Sequence, residues 1–97
     1  MNVRHLDRKL KRMEDDTSYH ASFGADVAKA FRKRMRFIRA ASDDRDFHAM
    51  KSLHYAKLKG DRAGQRSMRL NDQWRVVLRI ETVDGKTAVI IEVVDYH

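Results

Sequence analysis

The hydrophobic positions change period near the middle of the chain, and that change outlines the fold. In the first half, Val27, Phe31, Met35 and Ile38 recur at three- and four-residue spacing, the apolar seam of an amphipathic helix starting near Gly24-Ala25. Asp26 falls in its first turn, where the helix dipole favours a carboxylate. Upstream, Leu6, Leu10 and Met13 mark the stripe of a shorter helix, preceded by a short strand over residues 1–5 and interrupted at Asp15-Asp16-Thr17-Ser18. Ser42 or Asp43 is placed to cap a further short turn through Phe47.

From about Leu53 the period shortens. Trp74, Val76, Leu78 and Ile80 alternate with Arg75, Val77, Arg79 and Glu81, the pattern of a half-buried strand whose apolar face packs on the helices. Val83-Asp84-Gly85-Lys86 supplies a hairpin turn, and Thr87 to Val94 is a β-branched run. Turns at Gly60–Gly64 and Asn71-Asp72 bracket a strand over Gln65–Leu70. The expected fold is α+β: a twisted antiparallel sheet, made of a short N-terminal strand plus a C-terminal meander, with two N-terminal helices packed on one face. There is no proline and no low-complexity linker, so residues 1–97 read as a single domain.

Composition narrows the function. Cysteine is absent, which excludes disulfides, thiolate metal sites and cysteine nucleophiles. The longest strongly apolar runs, such as Ala88-Val89-Ile90-Ile91, fall far short of the roughly 20 residues of a membrane span. Met1-Asn2-Val3-Arg4-His5 begins no apolar signal region, so a cytoplasmic protein without membrane association is expected. The formal charge is +7 and the isoelectric point about 10.1, a balance that suits a polyanion. A soluble charged surface or a complement to an acidic protein would give the same excess. Much of it is concentrated in Lys29, Arg32, Lys33, Arg34, Arg36 and Arg39, with no acidic residue between them.

Three groups of residues have the chemistry for a phosphodiester. Arg75 and Arg79 project from the sheet face opposite Trp74, where they meet nucleic-acid phosphates or keep an open sheet face soluble. His54, Lys57 and Lys59 place an imidazole beside cations, which suits proton transfer and charge stabilisation at phosphorus; ordinary polar strand residues have the same pattern. Asp95-Tyr96-His97 continues the last apolar run and joins a carboxylate, a phenol and an imidazole, unless it is a frayed end. His5, His20 and His48 have no companions at metal-binding spacing and there is no HExxH, so no metal is expected. P-loop, GxGxxG and GxSxG patterns are also missing, which leaves ATP hydrolysis, dinucleotide use and serine esterase chemistry unsupported.

The segment Leu58-Lys59-Gly60-Asp61-Arg62-Ala63-Gly64-Gln65-Arg66-Ser67-Met68-Arg69-Leu70-Asn71-Asp72-Gln73-Trp74-Arg75 resembles the LKGDRxGxxSxRxNDQWR block of HigB-type toxins in the RelE/ParE toxin–antitoxin superfamily. The closing Glu92-Val93-Val94-Asp95-Tyr96-His97 is similar to the same family's terminal DYH. The resemblance implies a RelE-like fold and a ribosome-dependent mRNA endoribonuclease that needs no metal or other cofactor. It implies catalytic roles for Lys59, Arg75, Asp95, Tyr96 and His97, with Arg79, Lys57, Arg62 and Arg69 as further RNA contacts. Where many members carry histidine in HPLKG, this chain has Ala56; His54 lies two residues earlier, a shift that keeps the same strand face and leaves it within reach. The implied partners are a helix-turn-helix, HigA-like antitoxin encoded by the adjacent gene, operator DNA through that antitoxin, and the ribosome with its mRNA. Lys29, Arg32, Lys33, Arg36 and Arg39 are the expected contact for antitoxin or ribosome. A ParE-like, non-enzymatic inhibitor of DNA gyrase and a plain nucleic-acid-binding module are the alternatives.

Overall fold

The computed structural model describes residues 1–95. Its elements run β1 (Asn2–His5), α1 (Arg8–Asp15), α2 (Ala25–Ala40), α3 (Arg45–Ala49), β2 (Ala56–Lys57), β3 (Arg66–Arg69), β4 (Trp74–Glu81) and β5 (Thr87–Asp95), with single 3-10 turns at Lys51–Leu53 and Gly60–Arg62. The sheet order is β1-β5-β4-β3-β2. The meander β2 to β5 is antiparallel as expected, whereas β1 joins β5 in parallel, Asn2 opposite Thr87 and His5 opposite Ile90. The sheet is therefore mixed. The helices between β1 and β2 carry the chain from one edge of the sheet to the other, and β1 runs parallel to its neighbour β5.

One sheet face is buried beneath the helices. Val27, Phe31, Met35 and Ile38 of α2, with Leu10 and Met13 of α1, pack on Met68, Val76, Leu78, Ala88, Ile90 and Val93. Leu6 does not extend the α1 stripe: Asp7 caps the helix by accepting from the Lys9 amide at 2.8 Å, which leaves Leu6 outside it and half exposed. At α3 the residue before the first helical turn is Asp44, while the capping carboxylate is that of Asp43, which accepts from the Arg45 amide at 3.0 Å. The β4–β5 turn places Asp84 and Gly85 both at positive φ, the conformation that the Asp-Gly pair favours.

A bulge in β5 decides which side chains lie on which face. Val77 pairs with Glu92 but Leu78 pairs with Ile90, so Ile91 is an extra residue. Before it, Ala88 and Ile90 face the helices; after it, Val93 does. Glu92 and Val94 are thereby turned to the far face, beside Val77 and Arg75, their cross-strand partners.

Charged side chains tie the helical hairpin to β1. Glu14 accepts from both nitrogens of an Arg39 fork, at 2.6 and 2.9 Å, and from His5 Nε2 at 2.8 Å. Arg32 donates to the Met13 carbonyl at 3.0 Å. Burial pushes the Glu14 carboxyl upward, but the hydrogen bonds from Arg39 and His5 outweigh it and hold the group below the ordinary carboxylate range. A depressed native value stabilises the fold above the unfolded value and ceases to do so as pH falls through the native one. Urea midpoints measured between pH 7 and pH 3 should therefore fall steeply below about pH 4.5. Glu14→Gln should lower the midpoint at neutral pH and flatten that acid limb; an unchanged limb would remove Glu14 from the account.

Candidate phosphate-binding site on the open sheet face

Arg75 is the centre of the far face. Its Nε donates to Ser67 Oγ at 3.0 Å, and its Nη2 donates to the Ser67 carbonyl at 3.4 Å and to the His54 carbonyl. His54 does not lie on a strand. It follows the 3-10 turn in a left-handed conformation, φ 47 and ψ 48, and β2 begins only at Ala56. The same-face argument for its register therefore does not apply. It reaches the site through the turn instead: its exposed side chain lines a concavity of about 290 Å³ with Arg69, Asn71, Asp72 and Arg75.

Arg69 stands directly opposite Arg75 across β3 and β4. Like charges facing each other on a sheet are destabilising. Here Arg69 is held by an ion pair to Asp72 and by a 3.1 Å hydrogen bond to the Asn71 carbonyl. The turn is itself built by Asn71, whose Oδ1 accepts from the amides of Gln73 and Trp74 at 2.9 and 2.8 Å. The Asn-Asp pair thus shapes the turn and restrains one of the facing arginines.

On the other side of Arg75 lies a second concavity, about 270 Å³, with an apolar floor of Leu58, Val77 and Val94 and polar walls of Arg62, Ser67 and Arg75. Arg62 pairs with Glu92 and donates to Gln65 at 3.0 Å. Val77, expected on an open polar face, is buried because this pocket wall and its neighbours cover it. Among the described residues Ser67 is the one buried polar residue, 3% exposed.

The other expected positions fall elsewhere. Lys59 precedes the 3-10 turn and is exposed; it lines neither concavity. Lys57 pairs with Arg66, and Arg66 with Leu78, which puts Lys57 on the helix-packed face rather than beside Arg75. Arg79 is four residues from Arg75, about 13 Å along the strand. It binds Glu81 at 3.0 Å, and Glu81 also takes Arg4 at 2.7 Å. These two arginines flank buried Val89, so Arg79 belongs to a charged cover over that residue. Asp95 pairs with Trp74 on the helix-packed side and accepts from Gln73 Nε2 at 2.9 Å, while Arg75 pairs with Val94. Tyr96 and His97 lie outside the described residues.

The basic helix also divides. Arg32 and Arg39 bind the α1 segment, as described, and are internal contacts. Lys29, Lys33 and Arg36 line a groove of about 280 Å³ with Asp26, Ala30, Arg34 and Leu70. Arg34 is partly buried, and burial pushes its guanidinium downward from the usual arginine range.

Sequence reasoning missed Ser67, Glu92 and Val94, while the turn it placed at Asn71-Asp72 is present. A serine inside a run otherwise fit for a strand was the available signal for the first. Among the described residues no cluster of His, Asp or Glu has the makings of a metal site, and no helix is long and apolar enough to cross a membrane.

Among solved structures, the chain is similar to a YoeB/ParE toxin from Agrobacterium tumefaciens, with 19% identity, full coverage of both chains and a TM-score of 0.63. It is also similar to a chain of the toxin–antitoxin complex RelBE2 from Mycobacterium tuberculosis, at 19% identity and a TM-score of 0.52, over 98% of this chain and 96% of that one. These likenesses are of fold. No curated protein matches the sequence. A family model for HigB-like toxins, the RelE-like toxins of type II toxin–antitoxin systems, matches residues 4–97. The mixed α+β fold and a match over nearly the whole chain lead to one assignment: the protein belongs to the HigB-like family of RelE-like toxins.

Proposed function

We propose that this toxin is a ribosome-dependent endoribonuclease that cuts mRNA through attack of the 2′-hydroxyl on the adjacent phosphate. The observation that carries the reading is Arg75, held by Ser67 and the His54 carbonyl between two concavities that also contain Arg62 and Arg69. A fixed guanidinium facing a developing negative charge stabilises a transition state without having to reorganise. In this reading Arg62 and Arg69 take flanking phosphates. An apolar floor between arginines suits the face of a base, and the like-charged Arg69–Arg75 pair is relieved when a polyanion binds.

Proton transfer falls to imidazole groups. His54 borders the Arg75 concavity and brings an imidazole, a group able to serve as general acid or base. The Asp95-Tyr96-His97 segment continues from Val94, the cross-strand partner of Arg75. In this proposal His97 carries the second proton and Tyr96 stacks on a base, while Asp95, on the helix-packed side, takes no part at the phosphate. Lys59, on the exposed turn, adds charge for the phosphate backbone. Selectivity for RNA follows from the need for a 2′-hydroxyl.

Primer extension on mRNA from cells expressing the chain alone should show cuts inside translated frames. Arg75→Ala, and separately deletion of His97, should each reduce cleavage by about 10²–10⁴-fold with the circular dichroism spectrum retained. Growth arrest without RNA cuts would point instead to a ParE-like target. Undiminished cutting by either variant would remove that residue from the chemistry.

The partner proposed for this toxin is a small helix-turn-helix antitoxin that silences it and binds operator DNA. The basic groove of Lys29, Lys33 and Arg36 is suited to an acidic antitoxin surface or to ribosomal RNA. Lys33→Glu combined with Arg36→Glu should separate these. Loss of antitoxin binding with ribosome association kept assigns the groove to the antitoxin; the converse in pull-down and sedimentation assays assigns it to the ribosome.

A further inference from the structure

We propose that Ser67 is the positioning residue for Arg75, the group that holds its guanidinium in the orientation in which it meets the scissile phosphate. The inference rests on Arg75 acting at that phosphate, as proposed above. Ser67 sits in β3 between Ala56 and Val77, buried to 3% exposure. Packing alone would favour a β-branched residue at such a site, since a buried hydroxyl without a partner is costly. The hydroxyl has its partner in Arg75: Oγ accepts from Nε at 3.0 Å, and the carbonyl of the same residue accepts from Nη2 at 3.4 Å. Two acceptors on one residue thus take two donors of the planar fork and set its plane. The His54 carbonyl adds a further acceptor for Nη2, supplied by a residue whose left-handed backbone a non-glycine adopts at a cost. Strain at one acceptor and a buried hydroxyl at the other are local sacrifices that meet at the same guanidinium.

An arginine side chain released from such contacts regains rotamer freedom and spends less time in the productive orientation. The loss should therefore fall on kcat rather than on KM. Ser67 also lines the concavity beside Arg75, so the methyl of a threonine has space there while the acceptor oxygen is kept.

The test uses the full chain with ribosomes and a defined mRNA, together with solvent exchange of the Arg75 Nε–H followed by nitrogen-15 NMR. Ser67→Ala should exchange that proton about tenfold faster, lower kcat about 10–100-fold and leave KM within about threefold, at an unchanged spectrum of the fold. Ser67→Thr should stay within about threefold of wild type in both measurements. In an Arg75→Ala background, Ser67→Ala should cause almost no further loss of cleavage, because the two residues act as one unit. Unchanged exchange, unchanged kcat in folded Ser67→Ala, or additive losses in the double variant would overturn the proposal. If the wild type cuts no RNA yet Ser67→Ala still accelerates exchange, the clamp stands and it is the nuclease reading that falls.

Discussion

Everything at the candidate site depends on the alternation of side chains across one sheet whose other face is closed by helices. Once Phe31, Met35 and Ile38 cover Val76, Leu78 and Ile90, each residue of the meander is committed to one face or the other. The single extra residue at Ile91 then exchanges the two faces for the rest of β5. Without it, Glu92 and Val94 would point into the helices and Val93 would be exposed. With it, Val93 completes the core, Val94 floors the pocket beside Arg75, and Glu92 restrains Arg62. Bulges often re-aim side chains next to functional sites, and this one joins the last strand to the arginine face.

That face contains several arrangements that stability alone would not select. Arg69 and Arg75 oppose each other, Ser67 is buried, and His54 occupies a left-handed conformation. Each breaks a local rule, and all three converge on one guanidinium or its neighbour. Local rule-breaking that clusters in this way is expected where a site needs a fixed geometry, the remainder of the fold supplying the stability. The core beneath is conventional, with Phe31, Met35 and Ile38 of α2 fully buried.

The basic helix shows how charge separates into structural and surface roles. Arg39 and Arg32 are consumed in fastening α1 to α2, through Glu14 and the Met13 carbonyl. Lys29, Lys33 and Arg36 remain in a surface groove on the helix side, away from the arginine face of the sheet. The protein therefore presents cationic surfaces on two sides, one lined by strands and one by a helix.

Periodicity by itself determined the α2 seam, the alternation of β4 and the Asp-Gly hairpin, because helix and strand periods and turn chemistry are local properties of the chain. The family resemblance was likewise legible, since the block around Asn71-Asp72-Gln73-Trp74-Arg75 is continuous in sequence; the HigB-like family match now stands on residues 4–97. Tertiary structure alone decided three things. The parallel pairing of β1 with β5 joins residues more than eighty apart in sequence. The position of His54 depends on a 3-10 turn and not on a strand register. The division of Lys57 and Asp95 from the Arg75 face depends on pairings between residues distant in sequence, and on one extra residue inside a run whose β-branched composition gives no sign of it. A bulge leaves hydrophobicity unchanged and alters only direction, so it becomes visible when the partner strand is in place.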